Sequence, residues 1–286
     1  MKMDKVLFGD NQFFAVNHLS DEKSRQQSIQ FNEDTAIMRV IDDAIDVGIN
    51  TFMCTTHDRV ANICEIMRKN PARYQNFNIY PCMPYAHKYA NAVTELGIVG
   101  TIQQYMPGNI ITTFAKGGLA YLSKDFGKLI QIFIDAEMKM FKGINTPVIF
   151  IQNVITDMVL GLGMTEVFVE YDNYIRKKYH AEPGYITMNM PKLLDTLNSA
   201  GIMNPIICFS MNKIGFRMSG GKELNEKYLQ EKAFRPVAMQ VLAAGALKPQ
   251  EAIEYLSRFD KIESVLFGAS SKIHIQETKE LIERFL

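Results

Sequence analysis

Several things are missing from this chain of 286 residues, and each absence removes a class of function. There is no net charge, because 31 basic and 31 acidic residues cancel. Without an excess of lysine and arginine there is no electrostatic footprint for nucleic acid or for an anionic membrane. No run of about 18 apolar residues occurs, so no segment is expected to span a bilayer. The opening, Met1-Lys2-Met3-Asp4-Lys5-Val6-Leu7, is too short and too charged for a signal peptide, and a cytoplasmic location is expected. Cysteine is scarce: Cys54, Cys64, Cys82 and Cys208, none of them in a C-x-x-C pair. That spacing excludes the usual structural zinc arrangement and points to free thiols in a reducing compartment. No short-period repeat of the solenoid kind is present.

What is there is apolar and regularly interrupted. Hydrophobic residues make up 47% of the chain, enough for a sizeable core, and the length suits one large α/β barrel or two ordinary domains. Apolar runs at 5–10, 50–55, 77–84, 146–153, 183–189, 205–211, 235–242 and 262–267 predict eight strands. Most of them are near-continuous rather than alternating, as in strands buried on both faces. Helical patterns separate them. Ile37, Val40, Ile41, Ala44 and Ile45 form one stripe, closed by Gly48. Others are predicted at 124–141, over much of 154–180, from 191, at 223–232, at 249–258 and from 272. The charged stretch 21–32 reads as a surface excursion. Residues 86–123 are weakly patterned after a short helix and read as a helical and loop insertion between strands 3 and 4, a length of irregular chain that is often functional. Eight alternations of strand and helix predict a single (β/α)8 TIM barrel over 1–286, with its active site on the loops that leave the C-terminal strand ends.

The last unit, Ser264-Val265-Leu266-Phe267-Gly268-Ala269-Ser270-Ser271-Lys272, predicts a strand, a tight turn and a helix start. Small residues at a helix N-terminus expose backbone N–H groups that attract an anion, and Lys272 would add charge. The competing reading is that Ser270 or Ser271 merely caps the helix.

In order and spacing the chain resembles the aldo-keto reductases. Gly48-Ile49-Asn50-Thr51-Phe52 resembles that family's second strand. Ala136-Glu137-Met138-Lys139-Met140-Phe141 before 148–152 resembles its helix and fourth strand, and Ile186-Thr187-Met188-Asn189 before 193–202 its fifth strand and helix. Phe267-Gly268-Ala269-Ser270-Ser271 followed by Glu277-Thr278 resembles the segment that holds the cofactor's adenosine phosphate. The likeness covers most of the chain apart from 86–123. It implies NADP as a cofactor held by Gly268, Ser270, Ser271, Lys272 and Glu277. The family works with an Asp, a Tyr, a Lys and a His, and here the chain departs from it. Met53 stands at the Asp position, the Tyr position falls near Asp58, Cys82 and Met83 replace the Lys, and Gln152 replaces the His. Gln152 can still donate a hydrogen bond to a carbonyl oxygen; Met53 can do none of the proton work.

The polar residues expected at the mouth are Asp10, Asn11, His57, Asp58, His87, Gln152, Asn153, Asn189, Asn212, Lys213 and Arg217. His57, Asp58, Gln152 and Lys213 are the catalytic candidates. Asp10, Asn11, Asn153, Asn189, Asn212 and Arg217 are the substrate-binding ones. Lys213, after the sixth strand, could form a Schiff base or pair with an anion, and so could Arg217 pair. Asn189 and Asn212 could equally anchor loops, and Asp10 and Asn11 could be turn formers. No metal centre is expected. His18, His57 and His87 follow the first three strands, but no two have close ligand spacing. The leading expectation is an enzyme that acts by acid–base chemistry on a small carbonyl-containing substrate, which a phosphate group could anchor. The alternatives are an NADP-dependent oxidoreductase with a rebuilt proton donor and a non-catalytic binding barrel.

Overall fold

The computed structural model describes residues 2–14, 21–85 and 126–286. Eight parallel strands close into a barrel in sequence order. They are β1 (Val6–Gly9), β2 (Thr51–Thr55), β3 (Asn78–Met83), β4 (Val148–Ile151), β5 (Glu182–Thr187), β6 (Ile206–Ser210), β7 (Arg235–Met239) and β8 (Ser264–Phe267). Pairing of β1 with β8, Leu7 opposite Leu266, closes the ring.

The alternation of side chains explains why these strands read as continuous apolar runs. One set, including Leu7, Met53, Tyr80, Phe150, Ile186, Cys208 and Val237, packs together as one buried cluster inside the barrel. Their sequence neighbours, such as Phe8, Phe52, Ile79, Ile149, Tyr185, Phe209 and Val265, belong to the cluster shared with the helices. Both faces are removed from water, and each such side chain contributes roughly 1.5–3 kcal/mol on burial.

The helices used below are α1 (Asp21–Gln30), α2 (Asp34–Asp46), α3 (Asp58–Lys69), α4 (Phe126–Met138), α5 (Asn153–Leu162), α6 (Thr165–Tyr174), α7 (Met190–Ser199), α8 (Lys222–Glu231), α9 (Pro249–Leu256) and α10 (Lys272–Phe285). The region expected to be mostly helical after β4 is so, as two helices separated where Gly163 turns left-handed at φ 67 and followed by a π-turn, Ile175–Tyr179. The stretch read as a surface excursion takes helical form, as α1. One sequence expectation needs correction. The seventh strand stops at Met239 rather than 242, because Gln240, Ala243 and Ala244 all take positive φ, which no strand tolerates. The insertion expected at 86–123, with His87, lies outside the described residues, as does His18. Among the described residues no helix is long and apolar enough to cross a membrane.

Candidate active site

The chain leaves β1 at Asp10 and turns at once into one 3-10 turn, Asn11–Phe14, closed by Phe13 N–H to the Asp10 carbonyl at 2.9 Å. This turn folds the Asp10 carboxyl back onto β2. Its Oδ2 accepts from both the backbone N–H and the hydroxyl of Thr55, each at 2.7 Å. Asp10 is only 7% exposed. Burial raises its pKa, and the Thr55 bonds oppose that rise without cancelling it. The sequence reading had Asp10 as a turn former or a substrate ligand; the structure makes it a buried carboxyl at the mouth.

Past Thr55, the buried Thr56 hydroxyl donates to Glu137 Oε2 at 2.5 Å. His57 caps α3, its Nδ1 accepting from Arg59 N–H at 3.2 Å. Its imidazole stacks on Phe14, with centroids 4.3 Å apart and planes at 12°, and its centroid lies 6.0 Å from that of Tyr85. Asp58 opens α3 and is exposed. Tyr85 follows the end of β3. Burial raises its phenol pKa, and the charges of Asp10 and Asp58 add to that. Asp10, His57, Asp58 and Tyr85 thus meet on the β1–β3 side of the mouth. Cys54 and Cys82 lie beneath them; burial first, then Asp10, pushes both thiols well up, so they are poor nucleophiles.

Across the mouth the predicted residues have mostly structural tasks. Gln152 is buried, and its N–H continues the β3–β4 pairing to the Met83 carbonyl at 3.1 Å. Asn153 is the first residue of α5. Asn189 caps α7 through Lys192 N–H at 3.4 Å. Asn212 is fully buried and anchors its loop, donating to Phe216 O and accepting from Phe216 N–H, both at 2.8 Å. Lys213 is half exposed and paired with Glu251 of α9 at 2.5 Å, so no apolar wall surrounds it. Arg217 takes positive φ and lays its guanidinium over the Phe216 ring at 5.6 Å. Asn11 is exposed on the 3-10 turn.

The eighth-strand turn is engaged by the chain itself. Ser271 caps α10, accepting from His274 N–H at 3.4 Å. Lys272 reaches back to α2, 3.3 Å from Asp46 and 3.8 Å from Asp43. The Ser270 carbonyl accepts from Gln30 at 3.4 Å, and Glu277 is exposed on α10. A Cβ added at Gly268 would lie 2.1 Å from Gln12 Oε1, so the Gln12 carboxamide fills the space beside this glycine. A phosphate at this turn would have to compete with the Gln12 carboxamide beside Gly268 and with the two carboxylates that share Lys272.

Sequence reasoning missed Tyr85, Thr55, Thr56 and Glu137. The Tyr85 signal was an aromatic hydroxyl directly after the prolines of the third strand. Glu137 was marked by its position, since Ile130, Ile134 and Glu137 recur at helical spacing on one buried face of α4. Among the described residues no cluster of three His, Cys, Asp or Glu side chains could hold a metal ion.

No family model matches the chain, and no curated protein matches it in sequence. Solved structures do match it in fold. A protein from Pseudomonas aeruginosa assigned to the aldo-keto reductases superposes with a TM-score of 0.60 at 10% identity, over 99% of this chain and 91% of that one. An aldo/keto reductase from Brucella melitensis gives 0.52 at 9% identity, over 87% and 84%. Aldose reductase from Giardia lamblia gives 0.50 at 9% identity, over 88% and 84%. The fold therefore resembles that of these barrels; at these identities the likeness speaks for the fold alone.

Proposed function

We propose that this barrel is an enzyme that acts on a small carbonyl compound by acid–base chemistry, with Asp10 and Tyr85 as its proton-handling groups. The observation that carries this reading is the Asp10 carboxyl. It is held by Thr55, is almost wholly buried, and lies at the mouth where its charge acts on the Tyr85 phenol. A raised carboxyl pKa makes the ionised form a stronger base, and a raised phenol pKa keeps the O–H in place at neutral pH. In the proposed step Asp10 takes a proton from the carbon beside the carbonyl. The electron pair moves onto the carbonyl oxygen, and the Tyr85 O–H donates to that oxygen to give the enol. Return of the proton completes an exchange or an isomerisation with no other reactant. His57 lies beside this pair, and Gln152 is the candidate donor for orienting the substrate.

The test uses uncharged probes, hydroxyacetone and dihydroxyacetone, because Lys213 and Lys272 are tied to Glu251 and Asp46. In D2O the protein should catalyse exchange of their α-protons, read by proton NMR. Asp10→Asn and Tyr85→Phe should each lower the rate by roughly 100-fold or more, the usual weight of one acid–base group. Equal rates in wild type and both variants would remove the reading.

A second reading is nicotinamide-dependent reduction with Tyr85 as the rebuilt proton donor. It is favoured by the phenol at the end of β3 and by the likeness of the eighth turn to a cofactor segment. Titration of NADPH and NADH separates the two, since unchanged cofactor fluorescence at millimolar concentration speaks against reduction. If the turn does take NADPH, Lys272→Ala should weaken it about tenfold; with Lys272 held by Asp43 and Asp46 we expect less than a twofold change.

A further inference from the structure

Glu137 is a buried acid to which neither the strand ends nor the proposed proton-handling pair gives a task. It sits in the last turn of α4 and is 1% exposed. Its carboxylate accepts from the Thr56 hydroxyl at 2.5 Å, and from Tyr85 N–H through Oε1 at 3.0 Å and Oε2 at 3.2 Å. Thr56 immediately precedes His57, so one buried carboxylate holds the exits of two adjacent strands at the residues that carry the mouth's ring systems. If the task were only to fasten α4 to the barrel, an apolar side chain would serve. Ile134 and Ile130, one and two turns earlier on the same buried face, do that. A buried charge is costly unless donors surround it, and it is most useful where it fixes geometry rather than adds stability.

We infer that Glu137 is a positioning residue, which sets the place of the Tyr85 ring against Asp10 and His57 by clamping the β2 and β3 exits together. The inference rests on the acid–base reading for its functional consequence, but its geometric part is testable without any substrate. The hydrogen-bond count explains why the carboxylate suits the role. Glutamine keeps the shape but presents an NH2 group to one of the donors that the carboxylate accepts from, so the clamp should open on one side.

The protein would be labelled with 3-fluorotyrosine, and the Tyr85 fluorine resonance identified by its loss in Tyr85→Phe. In Glu137→Gln we expect that resonance to shift or split and its titration midpoint to move, while the resonances of Tyr228 and Tyr255, on the far side of the barrel, stay in place. Thr56→Val, which removes one donor at nearly constant volume, should move the Tyr85 signal in the same direction by less, and it stands in if Glu137→Gln does not fold. In the exchange assay Glu137→Gln should lower kcat at least tenfold with KM within twofold. An unmoved Tyr85 signal, or a lower melting temperature with kcat unchanged, would overturn the inference and leave Glu137 a fastener. If Tyr85→Phe keeps full exchange activity, the acid–base reading fails instead, and a shifted resonance in Glu137→Gln would still support the clamp.

Discussion

Replacing Gly268 with alanine separates the two explanations for the glycine at the eighth turn. Gly268 is not among the residues with positive φ, so it is needed for room rather than for backbone conformation. A methyl group there would meet Gln12 Oε1 at 2.1 Å. The far end of a glutamine can usually swing away, but Gln12 is buried and donates through Nε2 to the Gly9 carbonyl at 2.8 Å. Moving it breaks that bond, at a cost of roughly 1–3 kcal/mol for a buried donor left unpaired. About 2 kcal/mol is therefore expected for Gly268→Ala, a fall in melting temperature of roughly 4 °C in a chain of this length. The decisive measurement is the double-mutant cycle with Gln12→Ala, by urea titration. Without the carboxamide the new methyl group has space, so Gly268→Ala should then cost less than about 0.5 kcal/mol, a coupling of about 1.5 kcal/mol. An equal cost in both backgrounds would refute the packing argument and return the glycine to ligand binding.

Other outcomes follow from single contacts. Asn212→Ala removes both bonds to Phe216 and leaves those backbone groups unpaired in a half-buried loop, so roughly 1–2 kcal/mol of stability should be lost in a thermal melt. Gly184→Ala would drive a methyl group to 2.4 Å from the Phe150 ring inside the barrel, and about 1–3 kcal/mol of overpacking should appear in the same assay. Lys213→Ala should change stability by less than about 1 kcal/mol, as for other exposed pairs, and borohydride should trap no adduct at Lys213 in the presence of hydroxyacetone. Asp10→Asn should separate stability from activity. The folded pKa of Asp10 lies above its unfolded value, so the cost of its charge is absent below about pH 4, grows as pH rises through the folded pKa, and persists at pH 7. Asparagine can still accept the Thr55 bonds, so the variant should be more stable than wild type at pH 7, with the difference vanishing near pH 3, while exchange activity falls.

The barrel was legible because both of its signals are local. Apolar runs such as 148–151 and 206–210 have no polar face, and stripes such as Ile37, Ile41 and Ala44 repeat at helical spacing. The site was legible only in part, because spacing places a residue on a loop without saying which way it turns. Asp10, His57 and Asp58 followed strands and do meet at the mouth. Lys213 follows a strand equally closely, yet its long side chain finds Glu251 on the neighbouring helix. Asn212 could have been a ligand or an anchor, and two hydrogen bonds to one residue four positions on decide for the anchor. Lys272 looked like a phosphate ligand because Asp43 and Asp46 are more than 220 positions away in sequence, and only the closing of β8 onto β1 brings them together.

Glu263 at one end of the barrel and Asp10 and Asp157 at the other are held by different kinds of donor. At the N-terminal end Glu263 is pushed up by burial, but Arg235 and the Met3 N–H bring it below its ordinary value. At the mouth Asp10 and Asp157 are both raised by burial, and only uncharged donors oppose this: Thr55 for Asp10, and Thr187 at 2.5 Å with Met188 N–H at 3.1 Å for Asp157. A threonine hydroxyl also serves Glu137. Threonine satisfies a carboxylate geometrically without neutralising it, which leaves the group ready to take a proton, whereas arginine fixes its charge. Acid therefore acts on the two ends in opposite senses. As pH falls through the lowered pKa of Glu263, the bottom loses an ion pair that contributes stability; as it falls through the raised pKa values above, Asp10 and Asp157 take up protons and are relieved of a buried charge. Asp10 and Asp157 combine burial with uncharged partners at strand ends, which is a physical reason, independent of any likeness to known enzymes, to look for proton transfer there.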